Sequence, residues 1–506
     1  MTNDRFLQWL TLPAPLHLPR RWTAPTLLAA ILILGAVLRL YRLTYESLWM
    51  DEWFTLAATR LPLDQLVGDR LRAGHAPGYF LLMKGWFAMV GASDLTLRLP
   101  SAIWGVLAIA VLYRLGRRLA GSAVGLLSAG MLAISAINIE YAQEGRMYTL
   151  VTLLTLLALD AAVTVVESDG RAGWGAFVGW LLIALYVHHY ALLLAVWLLA
   201  YLWWSCVRSP AAHRFRRALA ILALCYLPFL SLVVIEQIQP KGGNPEFSLA
   251  HEDVSWREVY GNFLVRNRPA TYAPTADRPW PIIPNSLLIV LLALPVALIA
   301  AERFGWAKPS LRVAPRRLVL LMGWLAVPVL LAQGLALLKP KLFSVHYLLY
   351  IGPALYLTIA VGAFAHRLAT RRWWQLAMFC VGIIVASATA VNLTAAYGAH
   401  HKPPWLEVAA FLSSVDPVGP VLAWGSARQT LPVIEYYASQ RFLVGPLTPT
   451  TPLPPGAWLV GYYGELSSLN VLALNRRGLQ VQQFQLIDRV AVFSLTTPRA
   501  DLPPVI

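Results

Sequence analysis

Long apolar runs recur along this chain, and short polar stretches that carry most of its charge separate them. Runs of about 17 to 25 apolar residues match a hydrocarbon core about 30 Å thick. A β-barrel would instead need alternating strands of about ten residues. The pattern therefore predicts a polytopic α-helical membrane protein with about eleven spans, at residues 24–40, 98–116, 122–138, 147–166, 173–188, 190–207, 218–235, 283–301, 317–338, 346–365 and 373–393.

Composition agrees with this pattern. The 506 residues are 58% hydrophobic and 13% charged, whereas a soluble domain is about 25% charged. The net charge of +16 suits nucleic-acid binding, but the cations cluster between apolar runs on one predicted side, as at Arg117–Arg118 and Arg214–Arg217. Because this bias marks cytoplasmic loops, the sequence predicts no nucleic-acid partner. It predicts a plasma (cell inner) membrane protein with a cytoplasmic N-terminus.

The same topology places two long loops, at 41–97 and 236–282, outside a transmembrane domain of residues 1–394. The first loop contains HAPGYFLLMKGWFAMVG, which suits a helix along the membrane interface, with a full span as the alternative. From residue 395 the long runs give way to short alternating helix and strand patterns. They predict helices in KPPWLEVAAFLSS, RQTLPVIEYYASQ and ELSSLNVLALNRRG, and strands in PVLAW, AWLVGYY and RVAVFSL. This alternation predicts a small extracytoplasmic α/β domain over 395–506.

Two adjacent carboxylates, Asp51 and Glu52, stand in SLWMDEWFTLAATR a few residues after the first apolar run. Carboxylates are costly near hydrocarbon, so those beside a span are usually paired or functional. Adjacent helical residues face different ways, so only one of the two can point into a site as a catalytic base. The alternative is a solvated pair, salt-bridged to Arg60.

A dense polar set also occupies the predicted outer end of the third run, in NIEYAQEGRMYTL. A solvated hairpin explains one or two charges there, but it explains the full set less well. The Arg146 guanidinium fits a phosphate, or it balances Glu144. The polar side chains of this segment are Asn138, Glu140, Tyr141, Gln143, Glu144, Arg146 and Tyr148.

Three other places carry candidate chemistry. His75 and Pro77 lie in the first outer loop, where both residue types are ordinary. Lys339, Lys341 and His346 form a positive cluster at an outer end, which either snorkels or binds an anionic headgroup or phosphate. The pair His188–His189 lacks a carboxylate at metal-ligand spacing, so interfacial anchoring is favoured over metal binding. The residues neither require nor exclude a divalent metal.

In this order, the segments SLWMDEWFT, HAPGYFLL, RLPSAIWGVLAIAVLYRLGRRL and YAQEGRMYTL resemble glycosyltransferase family 39, the protein-mannosyltransferase-like group. The resemblance is specific over residues 45–160 and returns at KLFSVHYLLYIGP. It implies a bundle of the C-type glycosyltransferase fold. Such enzymes transfer a sugar from a polyprenyl-phosphate donor to an acceptor on the outer face, usually with inversion of the anomeric centre.

The resemblance also implies site residues. Asp51 matches the family's proposed catalytic base and Glu52 its neighbour, while His75 and Pro77 match a His-Pro-Pro-like segment in which Ala76 replaces the first proline. Relatives carry arginine where this chain has His346, a poorer anion partner. Tyr141, Gln143, Glu144, Arg146 and Tyr148 match a Tyr-x-Gln-Glu-x-Arg-x-Tyr segment.

The residues suit this chemistry without the resemblance, because a carboxylate can accept the proton of an acceptor hydroxyl and cations can stabilise a leaving phosphate. The expected donor-phosphate ligands are Arg146, Lys339, Lys341 and His346. The sequence leaves open the sugar and the acceptor, which can be a protein, a lipid or a glycan. Two other classes remain: a transporter or lipid-linked sugar flippase, and a sensor or assembly subunit in which Asp51 is dispensable.

Overall fold

The computed structural model describes residues 20–238, 256–264, 313–338 and 344–364 and, with gaps, residues 387–462 and 480–496. The predicted run at 283–301 and most of that at 373–393 lie outside the described residues. The described helices are, in chain order, α1 (Arg20–Leu40), α2 (Met50–Arg60), α3 (Leu63–Arg72), α4 (Gly78–Val90), α5 (Asp94–Ala120), α6 (Ser122–Ile134), α7 (Ala136–Ala142), α8 (Tyr148–Glu167), α9 (Trp174–Val187), α10 (Ala191–Cys206), α11 (Ala212–Ile238), α12 (Trp256–Leu264), α13 (Pro315–Leu338), a 3-10 helix (Val345–Ile351), α14 (Gly352–Phe364), α15 (Trp405–Val415) and α16 (Leu431–Ala438).

Six helical segments among the described residues are long and apolar enough to cross a membrane, or seven if α6 and α7 form one broken span. The chain is therefore a multi-pass membrane protein. Helix α8 is buried along most of its length and packs against α5, α9 and α10, whereas α1 exposes apolar side chains such as Ile33 and Val37. The bundle thus has α8 near its centre and α1 facing lipid.

The run predicted at 122–138 is broken in the structure, because the helix bends by 61° between α6 and α7. Such a break leaves carbonyl groups without intrahelical partners. The guanidinium of Arg39 donates to the carbonyls of Leu132 (3.0 Å) and Ala133 (2.9 Å). A buried cation on α1 therefore satisfies the end of α6, and the chain after the break can turn toward α2.

Helix α4 covers most of the segment HAPGYFLLMKGWFAMVG, for which the sequence allowed either a helix along the membrane interface or a full span. Its 13 residues extend roughly 20 Å at 1.5 Å per residue, which is less than a hydrocarbon core about 30 Å thick. Leu82 and Met89 on this helix are exposed. An interfacial position fits this length better than a full span.

Helix α5 extends from one end of the bundle to the other. Its first turn carries the capping box Ser93–Thr96, and its 27 residues span roughly 40 Å. Near its far end, Arg118 pairs with Asp160 (2.5 Å) and Glu167 (2.7 Å). The charges near α2 and those near Arg118 therefore lie at opposite ends of the helix.

The C-terminal region forms a five-stranded mixed sheet in the order β2-β1-β3-β5-β4. Strand β1 pairs in parallel with β2 and β3, while β5 is antiparallel to β3 and β4. The predicted helices at α15 and α16 and the strands β1, β3 and β5 are confirmed, and β2 and β4 were not predicted. The predicted helix in ELSSLNVLALNRRG lies outside the described residues. The strands are β1 (Val421–Ala423), β2 (Val444–Pro446), β3 (Trp458–Tyr462), β4 (Gln480–Ile487) and β5 (Val490–Thr496).

Candidate active site

The two adjacent carboxylates occupy the first turn of α2 and point into different surroundings. The Asp51 side chain is 31% exposed, whereas that of Glu52 is 0% exposed. The first turn of a helix favours negative charge through its dipole. Of the two carboxylates, Asp51 is the one that water or a substrate can reach.

Glu52 is held by three segments that are distant in sequence. Its Oε1 accepts from Arg98 Nε (2.7 Å) and the Gly145 backbone N–H (2.9 Å), and its Oε2 accepts from Arg98 Nη2 (2.8 Å) and Lys402 Nζ (2.9 Å). Burial alone would raise the pKa of Glu52, but the charges of Arg98 and Lys402 lower it to about 2. Glu52 is thus an ionised structural centre of the site, and a solvated pair is wrong for this residue.

Arg98 also fixes the loop that precedes α2. Its Nη1 donates to the carbonyls of Leu43 (3.0 Å) and Glu46 (2.7 Å), and its Nη2 donates to that of Ser47 (3.1 Å). A guanidinium has five donors in a fixed fork, and this one connects the loop to Glu52. The start of α2 is therefore held in one place by α5.

Asp51 faces Arg146, whose side chain is only 1% exposed. Arg146 Nη2 lies 3.6 Å from Asp51 Oδ2, and its Nη1 donates to the Asp51 carbonyl (3.1 Å) and to Thr55 Oγ1 (3.4 Å). Arg146 Nε is buried and has no hydrogen-bond partner among the described residues. The predicted alternative partner, Glu144, contacts Lys402 instead.

The turn between α7 and α8 brings Arg146 to this position. Thr55 Oγ1 donates to the Gly145 carbonyl (3.2 Å), so the turn packs directly on α2. A Cβ at Gly145 would lie 2.2 Å from Leu97 Cγ, which leaves no room for a side chain. The close approach of the turn to α5 therefore requires glycine at this position.

Glu144 is buried beside the Glu52 cluster. Its Oε1 lies 3.9 Å from Lys402 Nζ, and its Oε2 is buried with no hydrogen-bond partner among the described residues. Burial raises the pKa of Glu144 to about 8, although Lys402 opposes the shift. Gln143 points elsewhere, since its amide donates to the carbonyls of Leu38, Arg39 and Tyr41 at the end of α1.

An aromatic cluster adjoins Arg146. Tyr148 lies 5.3 Å from Tyr141, 4.7 Å from His346 and 5.8 Å from His188, measured between ring centroids. The Arg146 guanidinium carbon lies 5.9 Å from the Tyr148 ring. The predicted residues Tyr141, Tyr148 and His346 therefore come together in one cluster at the end of the bundle that holds Asp51.

His75 and Pro77 lie in the segment that precedes α4. Pro77 precedes the first residue of α4, and the His75 ring lies 5.9 Å from that of Phe80. Burial first, and then the positive charge of Arg146, hold the pKa of His75 well below its usual range. Since Arg146 lies 5.9 Å from Phe80, neutral His75 and Phe80 extend the site toward α4.

An apolar groove of about 480 Å³ lies between α4 and α5. Trp104, one of its lining residues, lies 6.4 Å from Tyr79, and Tyr79 packs against Phe80 at 5.5 Å. Packed aromatic rings therefore connect one wall of the groove to Phe80, which lies 5.9 Å from the Arg146 guanidinium. Its lining residues are Leu81, Leu82, Met83, Gly85, Trp86, Met89, Pro100, Ile103 and Trp104.

Lys339 and Lys341 lie outside the described residues, so their expected place in the site stays a prediction. Within the described ranges, no group of three or more His, Cys, Asp or Glu side chains is arranged to hold a metal ion.

Sequence reasoning missed Arg98 and Lys402, the two cations that hold Glu52. Arg98 gave a usable signal, because a charge at the edge of an apolar run is usually paired. Lys402 gave none, because it lies in the C-terminal region and its relation to α2 is purely three-dimensional.

Residues 74–232 match the model of a family described as dolichyl-phosphate-mannose-protein mannosyltransferase. The fold matches the oligosaccharyltransferase of Archaeoglobus fulgidus in complex with zinc and sulfate, with a TM-score of 0.51, 12% identity, and coverage of 94% of this chain and 74% of that one. The Archaeoglobus fulgidus oligosaccharyltransferase AglB, in complex with an inhibitory peptide and a dolichol-phosphate, matches with a TM-score of 0.50, 11% identity, and coverage of 96% and 75%.

ArnT from Cupriavidus metallidurans, bound to undecaprenyl phosphate, matches with a TM-score of 0.49, 15% identity, and coverage of 95% of this chain and 100% of that one. No curated protein matches this chain. At these identities the structural similarity concerns the fold. The chain is a multi-pass membrane protein of the C-type glycosyltransferase fold, and over residues 74–232 it matches the protein-mannosyltransferase family.

Proposed function

We propose that this protein transfers a sugar from a polyprenyl-phosphate donor to an acceptor hydroxyl, with Asp51 as the general base and with inversion at the anomeric carbon. The observation that carries the proposal is the convergence of Asp51, Arg146 and the Tyr141–Tyr148–His346 cluster at one end of the bundle. The family match supports the reaction class, since its description names transfer of mannose from dolichyl phosphate.

The proposed step is a direct displacement. Asp51 takes the proton of the acceptor hydroxyl, the acceptor oxygen bonds to the anomeric carbon, and the bond from that carbon to the phosphate oxygen breaks with its electron pair on the phosphate. A positioned base contributes typically 10²–10⁴-fold. The leaving phosphate is stable as an anion, so the step requires no general acid.

The partial exposure of Asp51 supports its role, because a base must reach its substrate. Glu52, whose two oxygens already accept four hydrogen bonds, is better suited to holding the start of α2. We therefore assign the two carboxylates different roles, in which Asp51 reacts and Glu52 fixes its position.

Arg146 is the proposed contact for the donor phosphate among the described residues. Its Nε, buried and unpartnered there, suits a phosphate oxygen, and its Nη atoms already orient Asp51. This arrangement would place the base and the leaving group on one guanidinium. Lys339, Lys341 and His346 are proposed to supply further contacts on the donor side.

The groove between α4 and α5 supports a lipid-linked donor. A polyprenyl chain is apolar, and the groove is lined almost entirely by apolar side chains. Its wall residue Trp104 packs near Tyr79, which contacts Phe80 beside Arg146. The aromatic cluster with His75, Pro77 and Glu144 would then line the space for the sugar and the acceptor. The proposed setting is the outer face of the cell inner membrane.

The test is Asp51→Asn in an in-vitro transfer assay with polyprenyl-phosphate sugars, mannose first and other hexoses and pentoses next. We expect the variant to insert and purify like the wild type but to lose transfer by 10²-fold or more. Asp64→Asn, an exposed acid in the first turn of α3, is the matched control and should keep full activity. Retained transfer by Asp51→Asn would refute the mechanism, and flipping without transfer by the wild type would favour a flippase.

A further inference from the structure

Lys402 belongs to the C-terminal part of the chain but lies in the ionic cluster around Glu52, the neighbour of Asp51. Its side chain is 9% exposed, and its Nζ lies 2.9 Å from Glu52 Oε2 and 3.9 Å from Glu144 Oε1. Lys402 and Glu52 are 350 positions apart in sequence. The segment that leads into the sheet domain therefore supplies a cation to the transmembrane site.

The backbone around Lys402 also contacts Glu46 and Ser47, which lie just before α2. Its N–H donates to Glu46 Oε2 (3.1 Å), and the N–H of Leu406 in α15 donates to Ser47 Oγ (3.0 Å). Residues 46–52 thus accept bonds from this segment on their side chains, while Arg98 binds the carbonyls of Glu46 and Ser47.

Helix α16 adds a second area of contact. Leu48 N–H donates to Tyr437 Oη (2.8 Å), and the Oη atoms of Tyr436 and Tyr437 donate to Asp94 at 3.0 Å and 2.8 Å. These bonds join the sheet domain to the loop before α2 and to the start of α5. They do not involve Glu52, so they can be altered separately from Lys402.

We propose that Lys402 is a positioning residue for the transfer reaction, through which the C-terminal domain fixes the first turn of α2 and hence Asp51. This proposal rests on the proposed function for its effect on turnover. Its structural part, that Lys402 holds residues 46–52 in place, stands independently of it.

The charges explain why this contact matters. Glu52 and Glu144 are two buried carboxylates, and Arg98 and Lys402 are the cations that contact them. Removing one partner from a buried ion pair is strongly unfavourable. Without Lys402, Glu52 Oε2 loses one of its two donors and keeps only Arg98, so the structure can relieve the loss by moving α2.

Such a movement reaches Asp51 directly, because Glu52 and Asp51 are adjacent in the same helical turn. Displacing a reacting group by about 1 Å can cost roughly 10²-fold in rate. Arg146 bonds α2 through its Nη1, but its Nε, the proposed phosphate contact, makes no hydrogen bond to α2 among the described residues. A positioning role therefore predicts a fall in kcat with little change in the affinity for the lipid phosphate.

The experiment compares Lys402→Met with Tyr436→Phe, which removes one docking hydrogen bond but keeps the ring that packs near Trp53 (5.9 Å). For each purified full-length variant, hydrogen–deuterium exchange of residues 43–56, kcat, and the Kd for undecaprenyl phosphate are measured. In Lys402→Met we expect at least twofold faster exchange of this peptide, kcat lowered roughly 10- to 100-fold, and Kd within about twofold. Lys402→Arg, which keeps the charge, should recover part of the loss of kcat, and Tyr436→Phe should resemble the wild type.

Unchanged exchange of residues 43–56 in Lys402→Met would overturn the proposal, as would an equal loss of kcat in Tyr436→Phe. If Lys402→Met does not fold, Lys402→Gln is used, because it keeps a donor toward Glu52 without the charge, and the same criteria apply. A wild type without transfer activity, together with the expected change in exchange, would refute the proposed function while leaving the structural coupling in place.

Discussion

Replacing Glu52 by glutamine separates the role of Glu52 from that of Asp51. The change keeps the size of the side chain but removes the negative charge that Arg98 and Lys402 share. It also replaces one acceptor oxygen by an NH2 group. Since four donors point at the two oxygens of Glu52, two of them would face that NH2 group.

Breaking a buried ion pair by removing one partner costs about 3–5 kcal/mol. The site is fully buried, so this value needs little reduction for solvent screening, and Glu144 at 3.9 Å from Lys402 offsets part of it. We therefore expect Glu52→Gln to lower the free energy of unfolding by about 3 kcal/mol, or more than a hundredfold in the equilibrium constant. Asp51→Asn, at a partly exposed ion pair, should cost about 1 kcal/mol or less.

The assay is SDS-induced unfolding of the purified protein in mixed micelles, followed by the fluorescence of its 20 tryptophans. The pKa of Glu52, about 2, lies below its ordinary value, so its contribution to stability is present above the ordinary pKa and is lost as the pH falls toward 2. The charge of Glu52 also raises the pKa of Glu144, so the wild type loses more stability than Glu52→Gln as the pH rises toward 8. The deficit of Glu52→Gln should accordingly be smaller at about pH 8 than at about pH 6. A variant as stable as the wild type would refute the view that Glu52 anchors the site.

Two further predictions concern the turn between α7 and α8. Gly145→Ala would place a Cβ 2.2 Å from Leu97 Cγ, so we expect about 1–3 kcal/mol of destabilisation from overpacking and reduced transfer. Gly85→Ala is the control, because a Cβ there would meet no atom within 4 Å. Equal stability of the two variants would contradict the close approach of the turn to α5. The pKa of Glu144, raised from 4.5 to about 8, makes its contribution to stability greatest below pH 4.5 and lost as the pH rises through 8. The unfolding free energy of the wild type relative to Glu144→Gln should therefore decline between these values, and a pH-independent difference would refute the assignment.

Local patterns in the sequence predicted the membrane class, the individual apolar helices and most of the C-terminal elements. Hydrophobic run length is a local property, so α1, α5 and α8 could be predicted directly. The break at Ser135 could not, because it depends on Arg39 from another helix satisfying the freed carbonyls. Strand β2 consists of Val, Gly and Pro, and Gly and Pro are depleted in strands, so its sequence does not read as a strand.

Local patterns likewise predicted some residues of the candidate site and not others. Asp51, Arg146 and Tyr148 could be chosen because they form polar clusters within short segments, and the resemblance supported them. The different surroundings of Asp51 and Glu52 could not be predicted, since they depend on which carboxylate Arg98 and Lys402 reach. Gln143 was predicted for the site because it lies in the segment that resembles the family. In the structure, its amide instead binds the end of α1.

The bond between Lys402 and Glu52 has a consequence for biosynthesis. A ribosome must add 350 residues after Glu52 before Lys402 exists, so a partly synthesised chain holds this carboxylate with Arg98 and the Gly145 N–H alone. The complete set of bonds to Glu52 can form only after the segment around Lys402 has been synthesised and has packed against α2. Nascent chains that end before Lys402 would therefore carry a site in which Glu52 lacks one of its two cations.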